Sequence, residues 1–223
     1  MTSRFRITMA QLKPTVGDLR GNAAKAFAAW QEARTAGSDL VALPEMFVTG
    51  YSTQDLVMKP AFHQDAMNVI AGLAADCADG PAIAIGGPFV ENGRLYNAMH
   101  ICKGGQVVAR ALKHFLPNYN VFDEVRQFNR GPIQGPVSIG PMRIGTPICE
   151  DAWFPDVAEA MVESGGELLL VGNGSPYYRG KFARRMNTMV ARVIENDVPM
   201  VYVNTVGGQD DQVFDGGSFV LNR

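Results

Sequence analysis

Apolar and polar residues follow two different periods along the first half of the chain. Phe5 to Gln11 alternates with the period of two that is typical of a strand, whereas 61–77 carries apolar side chains at helical spacing. Asn22 and Gly37 stand where a helix begins and where a glycine ends it. The predicted elements are a strand over 5–11, a helix over 23–36, a strand over 40–43, a helix over 61–77 and a strand over 82–86. This order indicates an α/β fold.

A glycine pair predicts a hairpin in the middle of the chain. Lys103-Gly104-Gly105 separates two apolar runs, and glycine adopts the positive φ that tight turns need, so antiparallel pairing enters the sheet. The remaining predicted elements are strands over 95–102 and 106–112, a loop over 115–136, strands over 137–139 and 142–149, a helix over 154–163, a strand over 167–171, a helix over 181–195, and strands over 199–204 and 217–221. Helices alternating with strands around a mixed sheet predict an α/β layered fold.

Composition is that of one ordinary globular domain. The chain has 223 residues, 47% of them hydrophobic, and a formal net charge of −2. Lysine and arginine are scattered, so no basic surface for nucleic acid is expected. No apolar run approaches the ~20 residues that span a bilayer, and the first ten residues lack the apolar core of a signal peptide. We therefore expect a cytoplasmic protein that binds neither nucleic acid nor membrane.

Cysteine and histidine spacing argues against disulfides and metal sites. The three cysteines are an odd number at wide spacing, which predicts free thiols, and the three histidines never fall four residues apart on one predicted helix. We expect no metal. These residues are Cys77, Cys102 and Cys149, and His63, His100 and His114.

Glu45, Lys113 and Cys149 each follow a largely apolar run, and strand ends in an α/β sheet commonly converge on one site. A thiol with an ordinary pKa near ~8.5 is mostly protonated at neutral pH, so a carboxylate can take its proton. An ammonium favours the thiolate and, with the backbone N–H of Glu150, can stabilise an oxyanion. The three residues therefore suggest nucleophilic attack on an amide.

Each of these residues alone has a structural interpretation. A free cysteine is most often a small core residue, which we expect of Cys77 and Cys102. A lone glutamate could cap a turn, and a lone lysine could end a strand in solvent. His114 is a rival base, but neighbouring residues of a strand point to opposite faces, so only one of Lys113 and His114 can face Cys149.

The surrounding motifs resemble the nitrilase superfamily of carbon–nitrogen hydrolases, whose members combine a Glu-Lys-Cys triad. The resemblance rests on three segments in the right order, Leu43–Tyr51, Lys113–Glu124 and Ile148–Asp151. It implies a four-layer αββα sandwich with two central mixed sheets. It also implies Glu45 as general base, Lys113 as electrostatic stabiliser, Cys149 as nucleophile, and Glu124 as a supporting acid that orients Lys113.

Longer motifs narrow the resemblance. The form Lys-x-x-Leu-Pro-x-Tyr-x-x-Phe-x-Glu from Lys113, together with Cys-Glu-Asp-x-Trp and Asn173–Lys181, is similar to the glutaminase domain of the glutamine-dependent NAD⁺ synthetase family. This implies hydrolysis of L-glutamine to release ammonia through a thioester on Cys149. The positions that match glutamine-binding residues are Tyr119, Glu150, Ser175 and Lys181, which include the acid and the cation that an amino acid head group needs.

Complete members of that family carry a second, synthetase domain with a Ser-Gly-Gly-x-Asp-Ser loop, and this pattern does not occur in the chain. We therefore expect residues 1–223 to form one nitrilase-like amidohydrolase domain, C-terminally incomplete or naturally short, that holds no cofactor. ATP and deamido-NAD are expected only in the synthetase domain of the complete protein, which is an expected partner of this domain. A homo-oligomer is also expected. Two alternatives stay open: a stand-alone amidase or carbamoylase acting on another small amide, and an inactive binding or assembly module.

Overall fold

Two five-stranded sheets form the centre of the protein, and the computed structural model describes residues 4–223. In chain order the elements are β1 (Ile7–Met9), α1 (Leu19–Thr35), β2 (Leu40–Ala42), a 3₁₀ helix (Gln54–Met58), α2 (Pro60–Asp76), β3 (Ala82–Glu91), β4 (Arg94–Lys103), β5 (Gln106–Leu112), α3 (Glu124–Gln127), β6 (Val137–Ile139), β7 (Met142–Gly145), a 3₁₀ helix (Cys149–Trp153), α4 (Pro155–Glu163), β8 (Leu168–Asn173), α5 (Lys181–Asn196), β9 (Met200–Asn204), β10 (Val206–Gln209), β11 (Gln212–Asp215) and β12 (Phe219–Leu221).

The first sheet has the strand order β1-β2-β3-β4-β5. Its first three strands are parallel, and β3, β4 and β5 then pair antiparallel. Gly104 and Gly105, both with positive φ, make the turn between β4 and β5. The predicted hairpin is therefore confirmed, and it continues the parallel part of the sheet.

The second sheet has the order β12-β9-β8-β7-β6, with β7, β8 and β9 parallel and an antiparallel strand at each edge. A separate two-stranded ribbon, β10 with β11, lies between β9 and β12 in the chain.

Alternation along the strands distributes the core into layers. Leu40 and Ala42 of β2 pack between the two sheets, whereas Val41 and Leu43 pack in the cluster that contains α1 and α2. On the other side, apolar residues of α4 and α5 pack against β8 and β9. The result is helices, sheet, sheet, helices, so the predicted αββα sandwich is confirmed.

The predicted strand over 142–149 is wrong in its second half. β7 ends at Gly145, and beyond it Ile148 makes only an isolated bridge to Gly172 of β8. Pro147 lacks the backbone N–H that a ladder requires. Cys149 instead begins a 3₁₀ helix with φ of +44°, so the nucleophile candidate lies in a turn after the strand.

Other boundaries differ for local reasons. α1 begins at Leu19, four residues before the prediction, because the side chain of Asp18 caps the helix by accepting the N–H of Gly21. The short helix α3 lies inside the predicted loop over 115–136, and the β10–β11 ribbon was not predicted. Within residues 4–223, no helix combines the length and apolarity needed to cross a bilayer.

Candidate active site

Glu45, Lys113 and Cys149 lie together in the interior of the protein. Lys113 Nζ is 2.6 Å from Glu45 Oε1, and neither side chain is exposed. Cys149 is 3% exposed. Burial raises the pKa of the Cys149 thiol well above its ordinary value, the charge of Glu45 raises it further, and Lys113 lowers it. The thiol is therefore protonated at rest and lies within electrostatic range of both an acceptor and a cation.

Glu45 is held by three donors on three separate segments. Its Oε1 accepts from Lys113 Nζ and from Asn97 Nδ2 at 2.8 Å, and its Oε2 accepts the backbone N–H of Gly174 at 2.7 Å. The turn that carries Glu45 follows β2 and lies directly on Gly86 of β3, where an added Cβ would come within 2.1 Å of Met46 N. This close approach requires glycine and fixes the height of Glu45 above the sheet.

Lys113 follows β5 directly and is clamped between two carboxylates. Burial disfavours its charge, but Glu124 and Glu45 outweigh burial and raise the pKa of Lys113 well above its ordinary value. Its Nζ is 2.9 Å from Glu124 Oε1. Since an ammonium has three N–H donors and two serve these carboxylates, one donor is left for another acceptor.

Glu124 sits at the start of α3 and is shared by two partners. Its Oε1 accepts from Lys113 and from the hydroxyl of Tyr51 at 2.7 Å. Burial raises the pKa of Glu124 to about 7, although Lys113 opposes this shift. Its Oε2 is buried without a hydrogen-bond partner among the described residues.

Cys149 adopts a left-handed backbone conformation that non-glycine residues rarely occupy. Such strain persists only where the surrounding structure holds it, and it is common at functional sites. Here the residue on one side, Ile148, is tied to Gly172 of β8, and on the other side the 3₁₀ helix begins. The conformation places Cys149 at the start of a turn, directly before Glu150 in the chain.

Two of the four predicted substrate residues, Tyr119 and Lys181, line one cavity of about 450 Å³. The hydroxyl of Tyr119 lies 2.9 Å from both carboxylate oxygens of Glu150, beside Cys149. Lys181 Nζ lies 4.5 Å from the ring centre of Trp153, so a cation faces the same cavity. Residues that line the cavity include Tyr119, Phe122, Trp153, Tyr178, Lys181 and Arg184.

Ser175 is buried and does not line this cavity. It is 1% exposed, and its backbone N–H donates to Asn204 Oδ1 at 2.9 Å. Its Oγ is 3.4 Å from Nη2 of the fully buried Arg185. The structure therefore brings Tyr119 and Glu150 together and places Lys181 on the cavity that Tyr119 lines, whereas Ser175 is outside that lining.

His114 does not take part in the cluster. Its Nδ1 is 2.8 Å from the carbonyl of Gly131, and its Nε2 contacts Arg130. The side chains of Lys113 and His114 thus have separate environments, as expected for neighbouring residues at a strand end. Among residues 4–223, no group of three or more His, Cys, Asp or Glu side chains is arranged as a metal site.

Three contributors to the site were missed from the sequence. Asn97 and Gly174 hold Glu45, and Tyr51 holds Glu124. Asn97 had a visible signal, since it is a polar residue inside the apolar strand β4. Tyr51 and Gly174 lie in motif segments, but nothing in those segments shows that a phenol or a backbone N–H reaches a carboxylate far away in the chain.

A buried Glu-Lys-Cys cluster inside an αββα sandwich defines a hydrolase that attacks carbon–nitrogen bonds. Residues 6–222 match the family described as carbon-nitrogen hydrolase, and the chain belongs to this family. More particularly, it is 61% identical over 222 residues to the glutamine-dependent NAD(+) synthetase of Rhodobacter capsulatus. That match covers 100% of this chain and 40% of the relative, so the chain spans about 40% of the relative's length.

Solved structures agree with this placement. The glutamine-dependent NAD⁺ synthetase from Acinetobacter baumannii, in complex with ADP, matches with a TM-score of 0.90 and 34% identity, over 98% of this chain and 41% of that one. A mutant of the amidase from Nesterenkonia sp. AN1, with the acetamide moiety of fluoroacetamide added covalently at the active-site cysteine, matches with a TM-score of 0.87 and 25% identity. That match covers 99% of this chain and 83% of the amidase.

Proposed function

We propose that this chain hydrolyses the side-chain amide of L-glutamine to glutamate and ammonia. The observation that carries the proposal is a buried thiol near a carboxylate that is paired with an ammonium. The identity of 61% to a glutamine-dependent synthetase supports glutamine as the amide. The cysteine adduct of the Nesterenkonia amidase supports attack by Cys149.

The first half of the reaction forms a thioester. Cys149 Sγ attacks the amide carbon of glutamine while Glu45 takes the thiol proton. The free N–H of Lys113 and the backbone N–H of Glu150 stabilise the oxyanion. When the tetrahedral intermediate collapses, the carbon–nitrogen bond breaks and Glu45 returns the proton to the leaving nitrogen, which departs as ammonia. The γ-glutamyl group remains on sulfur.

The second half repeats this sequence with water. Glu45 removes a proton from the water that attacks the thioester, and the carbon–sulfur bond breaks to give glutamate. The proton returns to the sulfur and restores the thiol. Glu124 keeps Lys113 in place throughout, because its Oε1 accepts a hydrogen bond from Lys113 Nζ. The hydroxyl of Tyr51 donates to the same oxygen and so fixes the position of Glu124.

The substrate's α-amino and α-carboxylate groups need opposite charges. Glu150, which accepts a hydrogen bond from the Tyr119 hydroxyl, supplies the carboxylate for the substrate's ammonium group. Lys181 supplies the cation for the substrate's carboxylate. Ser175 is held by hydrogen bonds with Asn204 and Arg185 and supports the site without lining the cavity. This arrangement favours an amino acid amide over a simple one.

The activity belongs to a larger protein in this proposal. Residues 1–223 form the glutaminase domain, and the ammonia passes to a synthetase domain that holds ATP and deamido-NAD; a chain spanning about 40% of a relative supports this division. Exposed apolar residues of α5, Phe182, Val190 and Ile194, support assembly into a homo-oligomer. Three free thiols support a cytoplasmic setting.

The test is a comparison of amides with the purified chain. Glutamate and ammonia should appear in equal amounts from L-glutamine, with kcat/KM at least about tenfold above that for propionamide, which lacks both head-group charges. Cys149→Ala protein, purified in parallel, controls for contaminating glutaminase. Faster turnover of propionamide than of glutamine would point to a stand-alone amidase, and no turnover of either amide by the wild-type chain would contradict the proposal.

A further inference from the structure

Asp151 is a buried carboxylate that the reaction described above does not use. It is 2% exposed, and all the hydrogen bonds it accepts come from the backbone. Its Oδ1 accepts the N–H of His114 at 3.1 Å and of Phe115 at 2.8 Å, and its Oδ2 accepts the N–H of Ile148 at 3.0 Å.

These donors flank two members of the Glu-Lys-Cys cluster. His114 and Phe115 come directly after Lys113, on the segment that continues β5 of the first sheet. Ile148 comes directly before Cys149 and is bridged to β8 of the second sheet. A single side chain therefore ties the lysine of one sheet to the cysteine of the other.

The bond to Ile148 is reciprocal. Asp151 donates its own backbone N–H to the carbonyl of Ile148 at 3.0 Å, so two hydrogen bonds close the turn around Cys149. Cys149 inside this turn has a φ of +44°, a conformation that needs support from its surroundings. Asp151 thus supports the strained backbone of Cys149 and also fixes the distance between Cys149 and Lys113.

We propose that Asp151 is a positioning residue that sets the separation of Lys113 Nζ and Cys149 Sγ by clamping the backbone on both sides. The role rests on the proposed function, because it acts through the nucleophile and the cation of that reaction. Asp151 itself touches no reacting atom.

The chemistry of the clamp requires a carboxylate. Both sides of the clamp, Oδ1 with His114 and Phe115 and Oδ2 with Ile148, use acceptor oxygens. Hydrogen bonds from backbone N–H groups to a charged oxygen are stronger than those to a neutral one. Burial raises the pKa of Asp151 to about 6, while the backbone N–H groups and Lys113 oppose this, so the group is largely ionised at neutral pH. An asparagine keeps the shape but replaces one acceptor oxygen with an NH₂ group. That NH₂ group would then face a backbone N–H, so one side of the clamp would lose its hydrogen bonding.

The experiment is Asp151→Asn with two readouts. For glutamine, kcat should fall about 10²-fold, the cost of a misplacement near 1 Å, while KM changes less than about threefold. The second readout needs no glutamine: chloroacetamide alkylates Cys149, with sulfur bonding to carbon, chloride leaving and Glu45 taking the proton. The alkylation rate of Cys149, followed by peptide mass, should fall by a similar factor.

Two controls separate positioning from lost stability. Asp39→Asn repeats the chemical change at a carboxylate that accepts the N–H of Arg6, away from the site. Trp30→Phe removes a buried hydrogen bond to the carbonyl of Pro81 and lowers stability without touching the site. Both variants should alkylate Cys149 at the wild-type rate under conditions where they are folded.

The outcomes distinguish this role from the proposed function. If wild-type protein fails to hydrolyse glutamine, the proposed function fails, and the alkylation rates still test Asp151. An Asp151→Asn rate within threefold of wild type, or an equal loss in Trp30→Phe at matched stability, would overturn the clamp. Should Asp151→Asn not fold, Asp151→Glu decides: a rate below wild type is expected because the longer side chain shifts both sides of the clamp, and a wild-type rate would overturn the proposal.

Discussion

Cys149 and the pair Cys77 and Cys102 are buried alike but have different neighbours. Burial is the largest cause that raises the thiol pKa at all three, to about 12 for Cys77 and Cys102. Only Cys149 also lies beside a carboxylate paired with an ammonium, and only Cys149 among them has a left-handed backbone. Burial and thiol pKa therefore do not separate a nucleophile from a core residue. What distinguishes Cys149 from the other two thiols is the neighbouring carboxylate and the left-handed backbone, the features that the proposed function uses.

The largest expected effect comes from exchanging the thiols one at a time. Cys149→Ala should lower kcat for glutamine by on the order of 10⁴-fold, because the thioester can no longer form. Cys102→Ala should keep kcat within about twofold, since its sulfur packs in the layer below α1 and α2. Steady-state ammonia release measures both. Comparable losses of kcat in Cys149→Ala and Cys102→Ala would mean that the two thiols do not differ in function.

Glu45→Gln tests whether the neighbouring base makes the difference. The amide keeps an oxygen that can accept from Lys113 but cannot take the thiol proton, so kcat should fall by about 10³-fold with little change in KM. Tyr51→Phe is the matched control, because it removes one hydrogen bond at the far end of the same network. Its loss should be near tenfold. If the Glu45→Gln variant stays active, a group other than Glu45 must take the thiol proton of Cys149.

The layer that contains Cys102 holds a titratable group without an opposite charge. His100, on the same strand and buried, has its pKa lowered from 6.5 to about 4, first by burial and then by Arg110. The unfolded chain takes up a proton as pH falls below 6.5, and the folded protein does not until about 4. Folding stability should therefore fall between these values, by up to about 3 kcal/mol.

Replacing His100 isolates this contribution. In His100→Leu the free energy of unfolding should lose that part of its pH dependence, so its difference from wild type should shift by up to about 3 kcal/mol between pH 7 and pH 4. Urea unfolding at a series of pH values measures the difference. A difference that does not change with pH would mean that His100 is protonated equally in both states.

The smallest effect is the packing contribution of a core thiol. Cys102→Ala should lower the free energy of unfolding by about 1 kcal/mol through the small cavity left at a residue 2% exposed. Denaturant unfolding at pH 7 checks it. The loss of stability without loss of activity is the signature of a core cysteine, the reverse of what Cys149→Ala should show.

Much of the fold was predictable because local patterns carry it. The hairpin at Gly104 and Gly105 and the amphipathic helix α5 follow from glycine conformation and apolar spacing. The end of β7 was missed because an apolar run continues to Ile148 after pairing stops at Gly145. The β10 strand, Val-Gly-Gly-Gln, has too few side chains to show a period.

The cluster of Glu45, Lys113 and Cys149 was also predictable, since each residue closes an apolar run inside a motif. The contact of Glu124 with Lys113 was expected from the resemblance, but the roles of Asn97, Gly174 and Tyr51 were not, because these residues join segments far apart in the chain. Asn97 reaches Glu45 across 52 residues, and Tyr51 reaches Glu124 across 73. Asp151 accepts hydrogen bonds from backbone N–H groups, which every residue except proline carries and no sequence pattern distinguishes.

The most direct test of the account is to ask which thiol a glutamine-shaped electrophile modifies. A chloroketone analogue of L-glutamine, incubated with the native protein and followed by peptide mass spectrometry, should add one equivalent to Cys149 and abolish ammonia release in step with labelling. Excess glutamine should protect. Labelling of Cys77 or Cys102, or inactivation with Cys149 unmodified, would contradict the assignment of Cys149 as the nucleophile.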